Sequence, residues 1–347
     1  MRGATSPSIR LARRHGRTSR FVTLKWPALR LSGLLLGTIL TAHAPAQTDA
    51  PWPARRVRVI VPYAPGGSVD VATRLVARKF SEALGQPFTI VNLTGDGGII
   101  GLNHAAEAAA DGYTLVASGP NIALATLLAH TARFDPNTSF SHVGRFASDA
   151  ALLGVPAESP FNSIEALLAA ARAQPDTLSF ASPGKGSPGH LAMELLQRRA
   201  GVSLRHIPYR GGAPAITDLI GNRVTMVLVG ASLQLPHVQA GRIRPLAVTA
   251  PRRLAELPGT PSLAESYPGY ECVVWFGIAA PAGLPGSVVQ RLGAELERQV
   301  AVADFIQRMQ AAGLTVDFMG PGDLTRYVAR ETSAFSQLIK SARIAAD

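Results

Sequence analysis

The chain has 347 residues and a formal net charge of +11, but the charge is lopsided: residues 1–46 hold eight of the 34 Lys and Arg residues and none of the 23 acids. The remainder is close to balance, 26 basic against 23 acidic residues, with no basic cluster interleaved with aromatics, so the high pI is no sign of a nucleic-acid surface. The single cysteine, Cys272, excludes an intrachain disulfide, and about 300 residues beyond the leader suffice for two domains without covalent staples.

The leader reads as a secretory signal. Arg2 to Lys25 form a basic region, Leu31 to Ala42 an apolar run of twelve residues, and Ala44-Pro45-Ala46 a small-x-small cleavage site with Gln47 as the expected mature start. Twelve residues fall short of the ~20 that a bilayer-spanning helix needs. The expected location is therefore the periplasm, after cleavage.

The mature chain opens on strand, glycine turn and helix. Val57 to Val61 is a short β-branched run stopped by Pro62 and Pro65. Gly66 and Gly67 permit backbone angles that side chains forbid, and Ser68 and Asp70 follow where a helix start wants oxygen acceptors. Free N–H groups at the positive end of a helix make an anion site. Phe88 to Asn92 predicts a second strand, with a second glycine turn at Thr94-Gly95-Asp96-Gly97-Gly98 and a helix over Ile99 to Ala109. Tyr113 to Ala117 predicts a third strand ending at Ser118-Gly119-Pro120-Asn121. Alternating strands and helices imply a parallel sheet with these turns at its carboxyl edge.

Two strands are expected at Val143–Phe146 and Ala151–Val155, close enough to mark a crossing between domains. The pattern then repeats. A helix through Ala173 starts at Ser163, a strand covers Leu178–Ala181, and a glycine loop runs from Gly184 to His190 before a helix through Ala200. Further strands are predicted at Leu204–Ile207, Val224–Leu228 and Pro245–Val248, with helices to Ile220 and over Pro236–Ala240. Glu271 to Ala279 reads as a return crossing. The C-terminal part is helical over Pro285–Val300, Ala303–Ala312 and Leu324–Ala342, with a short strand at Thr315–Phe318.

The expected architecture is α/β and two-lobed, a clamshell in which each lobe is a central sheet flanked by helices. The expected division is 1–46 signal peptide, 47–148 with 272–347 as lobe 1, and 149–271 as lobe 2, with hinges near Ala147–Ala150 and Thr249–Glu271. Glycine turns at matched strand ends would face each other across a cleft.

An enzyme reading finds little support. Gly184-Lys-Gly186-Ser-Pro-Gly189 is formally G-x-G-x-x-G, yet no acid stands about 20 residues on to hold a ribose, where Arg205-His206-Ile207-Pro208-Tyr209 occurs. Lys185-Gly186-Ser187 is not a phosphate-binding P-loop, no G-x-S-x-G elbow exists, and the histidines lack metal-ligand spacing. No cofactor or metal is expected.

Several motifs occur in one order: Pro62-Tyr-Ala-Pro-Gly-Gly-Ser-Val-Asp70, the Gly-x-Gly-Gly turn at 95–98, Asp111-Gly-Tyr-Thr-Leu115, Gly184-x-Gly-Ser-x-x-His190, Ile207-Pro-Tyr-Arg-Gly-Gly-Ala-Pro214 and Trp275-Phe-Gly-Ile-Ala-Ala-Pro-Ala-Gly283. In these the chain resembles the extracytoplasmic solute-binding receptors of tripartite tricarboxylate transporters, the Bug family, over about residues 52–344. The resemblance implies a periplasmic receptor, not an enzyme, that captures a small carboxylated metabolite and delivers it to a two-component membrane permease; an orphan sensor or scavenger of the same fold is the alternative. It implies a monomer with no nucleic-acid partner. Carried over residue by residue, the ligand site would comprise Tyr63, Gly66, Gly67, Ser68, Asp70, Asp96, Gly97, Gly98 and Ser118 from the first lobe, and Gly186, Ser187, His190 and Tyr209 from the second. Three departures bear on the ligand, the first being that both acids of the family's Val-Asp-Leu-Met-Phe-Asp strand are gone at Val224-Thr-Met-Val-Leu-Val229. The family's second turn is usually Pro-Gly-Ala-Gly-Gly, so Asp96 either biases the site toward ligands with an ammonium or other donor or points away from it as a solvated turn residue. Lys185, where the family commonly has a neutral residue, would favour an anion.

Overall fold

The computed structural model describes residues 52–341. The leader and its cleavage site lie outside the described residues. The first unit follows the expected rhythm: β1 (Val57–Val61), α1 (Ser68–Leu84), β2 (Phe88–Asn92), a short turn of 3-10 helix at Asp96–Gly98, α2 (Ile99–Ala106) and β3 (Thr114–Ser118). A helix that periodicity did not reveal, α3 (Asn121–Leu128), comes next. Then β4 (Phe140–Pro156) runs unbroken for 17 residues, where two separate strands were expected. The intervening Ala147 to Ala150 are poor strand formers, but they pair with Phe276 to Val273 and are largely buried, so tertiary pairing overrides propensity.

The chain continues through α4 (Ile164–Ala173), β5 (Ser179–Ser182), α5 (Pro188–Ala200), β6 (Arg205–Pro208), α6 (Gly212–Ile220), β7 (Met226–Gly230), α7 (Ala231–Gln239), β8 (Ile243–Val248) and α8 (Leu263–Ser266). It closes with β9 (Val273–Pro281), α9 (Gly286–Val300), α10 (Ala303–Ala311), β10 (Thr315–Met319) and α11 (Pro321–Ser341). The α7 helix begins five residues before the expected Pro236, which lies inside it. Among the described residues, no helix is long and apolar enough to cross a membrane.

The strands run in the order β2-β1-β3-β9-β4-β7-β5-β6. β1 pairs in parallel with β2 and β3, and β5 pairs in parallel with β6 and β7. β4 joins the two sets. Its first part, through Ala150, pairs with β9 and β10; from Ala151 onward it pairs with β7 and β8. The fold is therefore two-lobed α/β, with one strand common to both sheets.

Each sheet is covered on both faces, as parallel sheets require. Successive residues of β1 point to opposite sides. Val57 and Val59 pack with Phe80 of α1, Leu292 of α9 and Phe305 of α10, while Ile60 packs with Leu102 of α2, Ile122 of α3 and Val328 of α11. In the second lobe α4 and α5 cover one face through Leu167 and Leu196, and α6 covers the other through Ile216 and Leu219. Because β1, β3, β5, β6 and β7 each feed a helix from their carboxyl ends, the starts of those helices gather at one place.

Candidate ligand-binding site

A cavity of about 70 Å³ lies where the two sets of strand ends meet. Five helices present their first residues to it: Gly67 and Ser68 of α1, Pro120 and Asn121 of α3, Pro188 and Gly189 of α5, Gly212 of α6, and Gly230 at the start of α7. The first N–H groups of a helix have no partner within it, and each helix start carries a partial positive charge. Convergence of five such ends favours an anion without any cationic side chain. A larger groove of about 420 Å³ between α3, α5 and α11 is walled largely by Leu124, Leu191, Leu195, Phe335 and Leu338, and it lacks that convergence.

Two buried polar atoms lie in the cavity wall without hydrogen-bond partners, Ser118 Oγ and Asn121 Nδ2. Their residues are only 2% and 4% exposed, so water cannot serve them as bulk solvent would. One carboxylate also lines the cavity. Asp149 of β4 accepts from Ser232 Oγ at 2.6 Å and from the Ser232 backbone N–H at 3.2 Å. Burial pushes its carboxyl up to about 6, against the lowering effect of hydrogen bonds from Ser232, Ser68 and Ala231. Ser68 Oγ lies 2.8 Å from Ser232 Oγ, which ties the start of α1 to the start of α7 across the cavity. Trp275 of β9 completes one wall, and its Nε1–H donates to both oxygens of Glu331 at 3.0 Å. Burial raises the Glu331 carboxyl to about 7, opposed by hydrogen bonds from Trp275 and Tyr327 and by the nearby Arg145.

The first loop is braced from behind. Asp70 accepts from the Gly66 N–H at 3.0 Å, from Arg74 Nε at 2.8 Å and from Asn92 Nδ2 at 2.9 Å. Burial works against its charge, but these bonds and Arg74 hold its carboxyl below the usual range. Asn92 Nδ2 also donates to the Tyr63 carbonyl.

Of the residues expected at the site, Tyr63, Gly67, Ser68 and Ser118 line the cavity. The Tyr63 hydroxyl donates to the Gly97 carbonyl at 2.9 Å. The others stand apart from it. Gly66 and Asp70 form the brace just described. Asp96 is exposed, with a left-handed φ of 49°, and its carboxylate accepts from Thr131 Oγ1, away from the cavity. Gly98 packs against Tyr63 and Asn121. Gly97 presses on the backbone of Lys185 so closely that a Cβ there would overlap the Lys185 carbonyl oxygen. Gly186 and Ser187 belong to the opposing loop, where Ser187 Oγ caps α5 by accepting from the His190 N–H. The His190 ring stacks on His206, 4.2 Å between centroids. The Tyr209 hydroxyl donates to Asp218 at 2.7 Å. Lys185 is exposed and does not line the cavity.

The opposing loops are thus shut on one another. The Ala64 N–H donates to the Arg210 carbonyl at 2.9 Å beside the Gly97–Lys185 contact. Asn121, Asp149, Gly189, Gly212, Gly230 and Trp275 are the lining residues that sequence reasoning passed over. Asn121 had a usable signal, a polar residue directly after Gly-Pro at a strand end. Asp149 had only its oddity, an acid within an apolar crossing. Among the described residues, no group of three or more His, Cys, Asp or Glu side chains is placed to hold a metal.

The profile of the "Tripartite tricarboxylate transporter family receptor" family matches residues 72–344. The chain belongs to that family. A relative of this receptor, the "UPF0065 protein in tcbD-tcbE intergenic region" of Pseudomonas sp. (strain P51), is 37% identical over 319 residues, 91% of this chain and 95% of its own length. The structure of the periplasmic binding protein BugD superposes on the receptor with a TM-score of 0.81 at 31% identity, covering 84% of this chain and 99% of its own. R. palustris Rpa4515 with adipate does so with a TM-score of 0.81 at 35% identity, covering 85% and 99% respectively.

Proposed function

We propose that this protein is a periplasmic receptor that captures a small carboxylated metabolite between its lobes and delivers it to a two-component membrane permease. The convergence of five helix starts on one cavity carries the reading, because their free N–H groups supply a site for a carboxylate. The adipate held by the R. palustris neighbour agrees with that chemistry. Lobe 1 is taken as 47–148 with 272–347, and lobe 2 as 149–271. Ligand enters while the loops are apart. The carboxylate takes the N–H groups at the helix starts, with Ser118 Oγ and Asn121 Nδ2 as side-chain donors. Closure then brings Ala64 to Arg210 and Gly97 to Lys185, and it forms the joint surface that the permease reads. The receptor acts as a monomer, and the leader exports it.

The test is thermal unfolding of the exported protein, refolded from denaturant to strip carried-over ligand, against a panel of carboxylates and their amides. A ligand at about 100 times its dissociation constant adds roughly 2.7 kcal/mol to stability. A rise in Tm with acids and none with the matching amides is expected. Equal shifts for acid and amide, or none for either, would overturn the carboxylate reading.

A further inference from the structure

The cavity contains one carboxylate of its own. Asp149 is 3% exposed and sits against the starts of two helices: it accepts from the Ser232 N–H and Oγ at α7, and Ser232 Oγ lies 2.8 Å from Ser68 Oγ of α1. That is the environment expected of a bound ligand carboxylate. Two of the five helix starts are therefore already matched by protein charge. The starts of α3, α5 and α6 remain, and the unpartnered Ser118 Oγ and Asn121 Nδ2 lie beside the first of these. Among the described residues, no Lys, Arg or His lines the cavity. The other walls are largely apolar, with Val69, Ala151, Leu228, Leu233, Val274 and Phe276.

We infer that Asp149 acts as a built-in substitute for a second ligand carboxylate, so that this receptor takes compact monocarboxylates with an apolar body and discriminates against dicarboxylates. The inference rests on the carboxylate-receptor reading above. A monocarboxylate satisfies the free donors at the α3 side and lays its carbon chain on the apolar wall. A dicarboxylate of the same skeleton brings a second charge to an apolar wall or to Asp149 itself. Neither place offers a cation, and like charges in a low-dielectric site repel strongly.

The decisive experiment is calorimetric titration at pH 8 of the exported, ligand-stripped protein with two matched pairs, butanoate against succinate and hexanoate against adipate. Wild type is expected to bind the monoacid of at least one pair tenfold or more tighter than the diacid. In Asp149→Asn, which keeps the shape and removes the charge, the diacid should gain at least tenfold relative to the monoacid. Succinate or adipate binding wild type as tightly as its monoacid overturns the inference while the receptor reading stands. An unchanged ratio in folded Asp149→Asn does the same. Failure of all four acids to bind, while another carboxylate of the unfolding panel still raises Tm, overturns the inference alone; with no carboxylate raising Tm, the receptor reading falls as well. The wild-type ratio alone decides if the variant does not fold.

Discussion

Gly97→Ala tests whether the shut loops are part of ligand capture. A Cβ at residue 97 would overlap the Lys185 carbonyl oxygen and lie 2.9 Å from its carbonyl carbon. Carbon atoms in ordinary contact stand ~3.5–4.0 Å apart, so the opposing backbone must retreat by on the order of 1 Å. The neighbouring Ala64–Arg210 bond at 2.9 Å and the Ser68–Ser232 contact at 2.8 Å then pass toward or beyond hydrogen-bonding range. Losing two net hydrogen bonds of about 1 kcal/mol each weakens closure by ~2 kcal/mol, roughly a thirtyfold loss of affinity. The alanine also keeps a left-handed φ of 61°, a strain of ~1 kcal/mol that is present with or without ligand. Gly85→Ala is the control: its φ is 71°, and nothing lies within 4 Å of the added carbon. It should lose similar stability and no affinity. The assay is calorimetry with a carboxylate that stabilises wild type, paired with small-angle scattering. Gly97→Ala binding within threefold of wild type, with the same compaction on ligand addition, would refute the reasoning.

Asp149 and Glu331 should add stability as pH falls from 8 toward 5, while His142, pushed down to about 4 by burial, and His237, also lowered by burial, work in the opposite direction. The folded chain binds protons at Asp149 and Glu331 more tightly than the unfolded chain does, because burial lifts these carboxyls to about 6 and about 7. Their contribution is fully present below about pH 4 and is lost as pH rises through those two values. For Asp149 the rise from 3.8 to about 6 corresponds to ~3 kcal/mol between the two limits. Urea midpoints of wild type and Asp149→Asn measured across this range isolate the Asp149 share; a wild-type advantage over the variant that does not grow as pH falls from 8 to 5 would contradict the assignment. Trp275→Phe leaves Glu331 buried without its indole donor. A loss of about 2–4 kcal/mol at pH 8, shrinking as pH drops below 7 and Glu331 takes up its own proton, is expected from denaturant titration. A loss independent of pH would point to packing alone.

Most of the alternation of strand and helix was legible because each lobe repeats one local signal, a β-branched run followed by a glycine or proline turn. What escaped did so for physical reasons. The α3 sequence NIALATLL is buried along most of its length, so it lacks the polar face by which a helix shows itself. Pro236 suggested a helix start, where proline is favoured, but it occupies the interior of α7. The two short strands expected around residue 148 are one, since burial and pairing with β9 carry the chain through Ser148 and Asp149. The site was legible as a class of loop and not as a set of atoms. Tyr63, Gly67, Ser68 and Ser118 reach the cavity, but sequence does not tell which side of a turn faces inward. Asp96 lies in the right turn, and its backbone conformation sends the carboxylate to Thr131. The acid that does reach the cavity, Asp149, comes from a strand shared by both lobes.

The placement of β9 sets an order of assembly. It lies between β3 and β4, pairing Val116 with Ala279 and Ser148 with Trp275, so neighbours in the sheet are more than a hundred residues apart in the chain. Everything made before residue 273 lacks the strand that joins β3 to β4. Such long-range pairing makes for slow folding. The sheet around β4 cannot be completed until β9 and, later still, β10 have been made, because both pair with it. Ligand competence would then be among the final properties the molecule acquires.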